Sequence, residues 1–474
     1  MARQDDTSIP TGRIRRTAEV GSVVGTQGAR YAGTRARNVA RSAEAAGQAL
    51  DNRHMEAARR MVETLGRMKG AAMKIGQLAS FIDTEFLPPE YRELYQEELG
   101  RLRTSAPPMP WDKVRGVLDE EWEEPVEELF ERFDQEAAAA ASIGQVHRAV
   151  LCDGREVAVK IQYPGVAEAI RSDMQNAGLI LRLAKALAPG LDAKAAAAEL
   201  QERVLEELDY EFEAQNQRSF ARGYRGHPFI HVPDVVTRLS TGRVLVSEWV
   251  DGMGFEEVKE LPQEERDRFG EIVFRFCFGS IYHLQHFNAD AHPGNYLLME
   301  DGRVAFLDFG MTKHLDEEQI ELEIAALEAI FDDDPEQLRV ALHDLGFLRD
   351  PKKVDAEMLM DHVLAVGGWY MEDREVTVDA LRVMQAITAV SDPRSDFYRL
   401  MRRENVPANE LMGRRMESGV LAVLGQLRAT RNWCRIGREW WFGDPPATEL
   451  GREEWAYFES RGEPRARRFA GRAG

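Results

Sequence analysis

Three polar residues at fixed spacing constrain this chain more than anything else in it. Asp290 stands five positions before Asn295, and Asn295 stands thirteen before Asp308. The first two belong to Phe287-Asn288-Ala289-Asp290-Ala291-His292-Pro293-Gly294-Asn295, and the third opens Asp308-Phe309-Gly310. Two carboxylates and an amide present oxygen ligands, which suit a hard cation such as Mg²⁺. Val304, Phe306 and Asp308 alternate with Ala305, Leu307 and Phe309, which predicts a short strand before Gly310. Asp-x-Gly alone is an ordinary turn. It is the two motifs at this separation that point to a metal-assisted phosphoryl-transfer centre, with Asp290 facing the acceptor and Asn295 and Asp308 on the metal.

Composition bounds the setting of such a centre. The 474 residues allow two to three domains or one large two-lobed one. A net charge of −20 argues against nucleic acid as the main partner, so a phosphate site has to build its own positive potential. Cys152, Cys277 and Cys434 form no metal spacing and read as reduced thiols. The N-terminus lacks the apolar stretch of a secretory signal, and no apolar run is long enough to span a bilayer. The expectation is a cytoplasmic protein, with a peripheral place on the inner face of the membrane open to it. Residues 1–50 supply the reason: eight arginines stand there against four acids, a cationic arm suited to an anionic lipid surface.

Along the chain, Met61, Leu65, Met68, Ala72, Ile75 and Ala79 recur at helical steps around Lys74-Ile75-Gly76-Gln77. Pro88-Pro89 ends that pattern, and further helices are expected over 91–103 and 111–118. Leu129 to Asp134 reads as a strand, followed by Ala137-Ala138-Ala139-Ala140-Ala141-Ser142. Next come Ile143 to Val150, a turn at Asp153-Gly154, and Val157-Ala158-Val159-Lys160-Ile161, a strong hairpin signal. Ala158 and Lys160 share one face of the second strand, the arrangement in which a small residue lines an adenine slot and a lysine reaches phosphates. Such a lysine needs a helical glutamate, and an acidic helix is expected over 200–220, carrying Glu202, Glu206, Glu207, Asp209, Glu211 and Glu213. Pattern alone does not choose among them. Val244 to Val250 predicts a buried strand ending in a hinge, where backbone at Glu248 and Val250 meets the adenine edge. A long helix over 264–287 leads into the Asp290 loop, and the chain after Gly310 reads as almost all helical to about 438. No Ala-Pro-Glu follows Asp308-Phe309-Gly310, and 311–316 is short for an activation loop.

Together these residues resemble the UbiB family of atypical kinase-like proteins, the ADCK/AarF group. The matching stretches are Lys74-Ile75-Gly76-Gln77 for its KxGQ signature and Ala139-Ala140-Ala141-Ser142 for its Ala-rich loop. Lys160, Glu207-Leu208-Asp209 with Glu213, Asp290 to Asn295, and Asp308-Phe309-Gly310 complete the set. The likeness runs from about residue 10 to about 430. It implies that Glu207 partners Lys160, and that Lys74 and Gln77 lie over the cleft in a regulatory role alongside Glu213. It also implies ATP and Mg²⁺ as ligands, ATPase-like activity, and a tie to quinone-lipid biosynthesis or membrane lipid homeostasis. Ala139 to Ala141 cannot fold down on phosphates as glycines do, which implies slow turnover. Ala291 stands where the family usually has a proline, and so does Ala137 or Glu136 ahead of the Ala-rich loop.

The expected architecture is α+β: a bilobal protein-kinase-like fold with an N-terminal helical KxGQ extension and a mostly helical C-lobe. Its expected parts are a basic arm (1–50), the extension (51–123), an N-lobe with a helical insert (124–252), a C-lobe (253–445) and a tail (446–474). The expected chemistry is MgATP hydrolysis or phosphoryl transfer to a small, lipid-related acceptor. Lys160, Asp290 and Glu207 would be catalytic. Ala139 to Ser142, Ala158, Lys160, Glu248 and Val250 would hold the nucleotide, and Asn295 and Asp308 the metal. The partners implied are an anionic membrane surface and lipid-biosynthesis proteins. The rivals are a nucleotide-gated scaffold without phosphoryl transfer and an ordinary protein kinase; the missing Ala-Pro-Glu speaks against the second.

Overall fold

The computed structural model describes residues 109–141, 143–168, 170, 205–206, 208–348, 350–379, 383 and 411–462. The first strands along the chain are β1 (Phe130–Phe133), β2 (Ala139–Ala140), β3 (Gly144–Leu151) and β4 (Glu156–Gln162). The described residues fall into two compact units. The smaller takes in 109–126, 133–147 and 160–170, and the larger 127–132, 148–159 and the chain from 205 onward.

In the smaller unit the helix Trp111–Glu121 starts directly after Pro110 and buries Val114, Val117 and Leu118, one stripe of a 3.6-residue period. The Ala-rich run is the first arm of a tight hairpin, with Ala139 opposite Val146 and Ala140 opposite Gln145. The Ala141 N–H closes the turn onto the Gly144 carbonyl at 2.9 Å. His147 is fully buried. Its Nδ1 lies 2.8 Å from the Asp134 carbonyl, which can only accept, so the proton sits on Nδ1. Nε2 then accepts from Gln145 Nε2 at 2.8 Å, and Gln145 Oε1 accepts the Met109 N–H at 2.7 Å. Burial lowers the His147 pKa, which keeps this chain of bonds neutral.

One sheet runs β1-β3-β4-β6, where β6 is Val244–Glu248. The turn between β3 and β4 falls at Asp153-Gly154, as expected, with Gly154 at φ +85°. Position 129 differs from expectation: Val126–Leu129 is a helical turn and the strand opens only at Phe130. Within the expected acidic helix, Leu205 and Glu206 are helical, and after a break a helix starts at Tyr210, where Asp209 accepts the Glu211 N–H at 3.0 Å and caps it; 200–204 and 207 lie outside the described residues. The helix Tyr210–Gly223 buries Glu213, Asn216, Gln217 and Phe220 on one face.

Beyond it lie β5 (Ile230–His231), β6 (Val244–Glu248), β7 (Met253–Gly254), β8 (His286–Asn288), β9 (Tyr296–Leu298), β10 (Val304–Phe306) and β11 (Thr312–His314). A second sheet runs β5-β10-β9-β7, with Val304 opposite both Ile230 and Leu298. The expected long helix comprises Gln263–Phe274, a π-helical turn over Arg275–Gly279, and Ser280–Leu284. It ends at Gln285, at φ +53°, so Phe287 lies in a strand rather than in the helix.

The core of this unit is aromatic and also ionic. Phe276 stacks on Phe306 at 3.7 Å between ring centroids. Beside it Arg275 is 0% exposed. Its Nε donates to Glu271 at 2.9 Å, Nη1 to Glu439 at 3.0 Å and Glu454 at 2.8 Å, and Nη2 to Thr448 at 3.0 Å. Arg431 Nε adds a second cation on Glu271 at 2.8 Å. Burial pushes the Glu439 and Glu454 carboxyls up, whereas Arg275, Thr448 and Arg431 outweigh burial at Glu271 and hold it down. Glu454 belongs to the helix Glu449–Ser460, so the segment expected as a tail contributes a wall of the core.

Candidate active site

Asp290, Asn295 and Asp308 come together in the larger unit because two short strands bracket their loops. β8 leads into the Asp290 loop and β11 leads away from Asp308. They pair antiparallel, Asn288 opposite Thr312 and His286 opposite His314. The Ala289 N–H bonds the Met311 carbonyl at 2.8 Å, and the Leu307 N–H bonds the Asn295 carbonyl at 3.0 Å. One side chain ties both loops: Asn288 Nδ2 donates to the Asp308 carbonyl at 2.6 Å, and its Oδ1 accepts the Asp290 N–H at 2.9 Å.

The Asp290 carboxylate receives two donors, Asn295 Nδ2 on Oδ2 at 2.9 Å and Arg415 Nη2 on Oδ1 at 2.6 Å. Because Asn295 turns its NH₂ group to Asp290, its amide oxygen is the atom left for a cation. Asp308 Oδ1 accepts the Gly310 N–H at 2.9 Å, an Asx turn that sets the carboxylate. An amide oxygen and a carboxylate fit Mg²⁺, which takes few protein ligands and fills its sphere with water and phosphate oxygens.

The helix Tyr210–Gly223 braces this centre from one side. Asn216 Nδ2 donates to the Phe309 carbonyl at 3.2 Å, and the Phe220 ring lies 5.0 Å from that of Phe309. Glu213, expected in a regulatory role, is buried three positions before Asn216. Ala158 and Lys160 are half-buried on one face of β4, with Val157, Val159 and Ile161 buried on the other. Lys160 and Ala139 to Ala141 belong to the smaller unit, and Ala158, Glu248 and Val250 to the larger. The Glu248 N–H bonds the Asp234 carbonyl at 2.8 Å, and the Trp249 N–H bonds the Glu156 carbonyl at 3.0 Å, so neither serves a base. The Glu248 side chain meets His231 Nε2 at 3.3 Å, which holds its carboxyl below the usual range. Ser142, Glu207, Lys74 and Gln77 lie outside the described residues, as does the basic arm.

A histidine pair sits where β8 enters the loop. The His286 ring stacks on His314 at 3.6 Å and lies 4.6 Å from Phe220. Burial first, then the His314 charge, push its pKa down to about 3. The unfolded chain takes up this proton near pH 6.5 and the folded chain does not, so stability falls as pH drops from about 6.5 toward 3. His286→Phe keeps the ring and removes the titration. Between pH 7 and 5 the variant is expected to lose roughly 2 kcal/mol less stability than the wild type in urea titrations. Equal losses would contradict the buried neutral histidine.

The comparisons with known proteins give the family. Residues 101–342 match the ABC1 atypical kinase-like domain. The chain belongs to this family, the UbiB/ADCK/AarF group. It is 34% identical to the mitochondrial atypical kinase COQ8B of Rattus norvegicus, over 66% of this chain and 60% of the relative. It is 32% identical to the mitochondrial atypical kinase COQ8 of Saccharomyces cerevisiae, over 66% of this chain and 62% of the relative. The chain therefore spans about three fifths of the length of these curated relatives. Among solved structures it is similar to Rv3197 of Mycobacterium tuberculosis, determined in complex with erythromycin. The TM-score is 0.60 at 32% identity, covering 82% of this chain and 97% of that one. The kinase-like α+β fold expected from sequence is thus shown. Among the described residues no helix is long and apolar enough to cross a membrane.

Sequence reasoning missed Asn288, Asn216 and Arg415. Asn288 lies inside the quoted loop, but its role depends on a carbonyl 20 positions away. Arg415 lies 125 positions from Asp290, and no local spacing marks it.

Proposed function

We propose that the chain binds MgATP at Asn295 and Asp308 and uses it for slow hydrolysis or for phosphoryl transfer to a small, lipid-related acceptor. The observation that carries this reading is the Asp290 carboxylate held 2.9 Å from Asn295 Nδ2, in a loop laced by Asn288 to the Asp308 carbonyl. Asp290 is then fixed beside the metal ligands, where it receives the acceptor or a water and takes its proton. Asn295 through its amide oxygen and Asp308 through its carboxylate would hold the cation. Mg²⁺ held there would supply positive charge against the phosphates during transfer. Lys160 keeps the phosphate-binding role assigned from the sequence, with Glu207 as its partner by family resemblance. Backbone at Glu248 and Val250 keeps the adenine-binding role assigned from the sequence. A lipid-related acceptor, and a place in quinone-lipid biosynthesis with partners from that route, rest on the family and on relatives named COQ8.

Phosphate release from MgATP tests the reading. Asp290→Asn is expected to lower turnover by roughly 10²- to 10⁴-fold, the range for losing a positioned base, while MgATP affinity stays within about twofold. Unchanged turnover would remove Asp290 from the chemistry. A second reading, a nucleotide-gated binding protein, is favoured by the erythromycin complex of the similar M. tuberculosis structure, since that protein receives a bulky organic ligand. MgATP binding without phosphate release, with or without lipid extracts, would select it.

A further inference from the structure

Helix 411–427 touches the catalytic loop twice, one turn apart. Arg415 Nη2 donates to Asp290 Oδ1 at 2.6 Å, with both side chains mostly buried, 17% and 15% exposed. Four residues on, Gly419 packs against Ala291. A Cβ there would meet the Ala291 Cβ at 2.8 Å and its carbonyl oxygen at 3.3 Å. Residues four apart lie on one helix face, so a glycine admits the helix backbone to the loop and the arginine on the same face reaches its carboxylate. On the other side, Asn295 Nδ2 holds Oδ2 at 2.9 Å. The carboxylate is therefore gripped from both ends, by two donors from elements 125 and 5 positions away.

We infer that Arg415 is a positioning residue for Asp290, and that the close seating of its helix through Gly419 sets the carboxylate for the acceptor. The inference rests on the proposed MgATP chemistry. Each Asp290 oxygen carries a second lone pair, so an acceptor hydroxyl or a water still finds a site on the gripped carboxylate. The guanidinium orients that carboxylate and places a fixed positive charge on the acceptor side of the reaction, where transferred phosphate is anionic. The bond Arg415 makes is to Asp290, the residue assigned to the acceptor, so its loss is expected to act on the transfer step.

Initial rates of phosphate release, with MgATP affinity measured separately, test this in the full chain. Arg415→Ala is expected to lower kcat by roughly 10- to 100-fold, with KM and Kd for MgATP within about twofold, because misplacing a catalytic group costs on that order. Arg415→Lys should recover part of the loss, since it restores the charge without the planar fork. Guanidinium ion at low millimolar concentration should raise the rate of Arg415→Ala several-fold and leave Asp290→Asn unchanged. Gly419→Ala should lower kcat in the same direction while leaving the charge in place. Should Arg415→Ala fail to fold, Arg415→Lys and Gly419→Ala carry the test through the same split of kcat from KM. An active wild type with unchanged kcat in these variants, or with kcat falling while Kd for MgATP rises in step, would overturn the positioning role alone. A wild type that binds MgATP without any turnover would overturn the functional reading and this inference with it.

Discussion

Arg275→Ala is expected to be the most destabilising single change among the described residues. The guanidinium is fully buried and is bonded to Glu271, Glu439, Glu454 and Thr448. Removing it leaves three carboxylates in a site closed to water, with Arg431 reaching only Glu271 among them. Breaking a buried ion pair by deleting one partner costs about 3–5 kcal/mol. A domain's whole stability is about 5–15 kcal/mol, so this is a large share of it. Glu439 comes from the helix Trp433–Trp441 and Glu454 from the helix Glu449–Ser460. Both helices should therefore loosen from the core together. Differential scanning calorimetry should show the melting temperature lowered by roughly 10 °C. The double variant Arg275→Met with Glu454→Gln should recover part of the loss by removing one stranded charge. A shift below about 2 °C for Arg275→Ala would mean that the cluster contributes little.

What could be read from the sequence follows the range of the interactions. The Asp290, Asn295 and Asp308 constellation was legible because its members lie within 19 residues and the loops that carry them are short. The β3–β4 hairpin was legible for the same reason, as Gly154 supplies the positive φ that the turn requires. The start of the helix at Tyr210 was not. It is decided by which of several acids caps the helix, and Asp209 does so through a single backbone N–H. The strand at Phe287 was read as helix because its apolar neighbours continue the preceding period. The chain instead turns at Gln285 so that β8 can pair with β11. Hidden most deeply were the long-range partners. Arg275 finds Glu439 and Glu454 across 164 and 179 positions, and Arg415 finds Asp290 across 125. In sequence each of them is one charge on a helix, and only the fold gives it a partner.

Asp308→Asn is expected to have the largest effect on ligand binding. The carboxylate bonds the Gly310 N–H through Oδ1, and its backbone carbonyl receives Asn288 Nδ2. An asparagine can keep both bonds, because its amide oxygen accepts as the carboxylate did. The fold should therefore survive, with a melting temperature within about 2 °C of the wild type. What the variant loses is the negative charge offered to a hard cation, and Mg²⁺ depends on its one or two carboxylates more than on neutral oxygens. Weakening a metal ligand's support alone costs about 10- to 100-fold in affinity, so loss of the ligand charge should cost at least about 100-fold. Calorimetric titration of ATP into the folded protein, with Mg²⁺ and then with excess EDTA, is the most direct measurement of the central claim. The wild type should bind ATP tightly only with Mg²⁺, and Asp308→Asn should bind it equally weakly in both conditions. Equal Mg²⁺-dependent binding by wild type and variant would contradict the account.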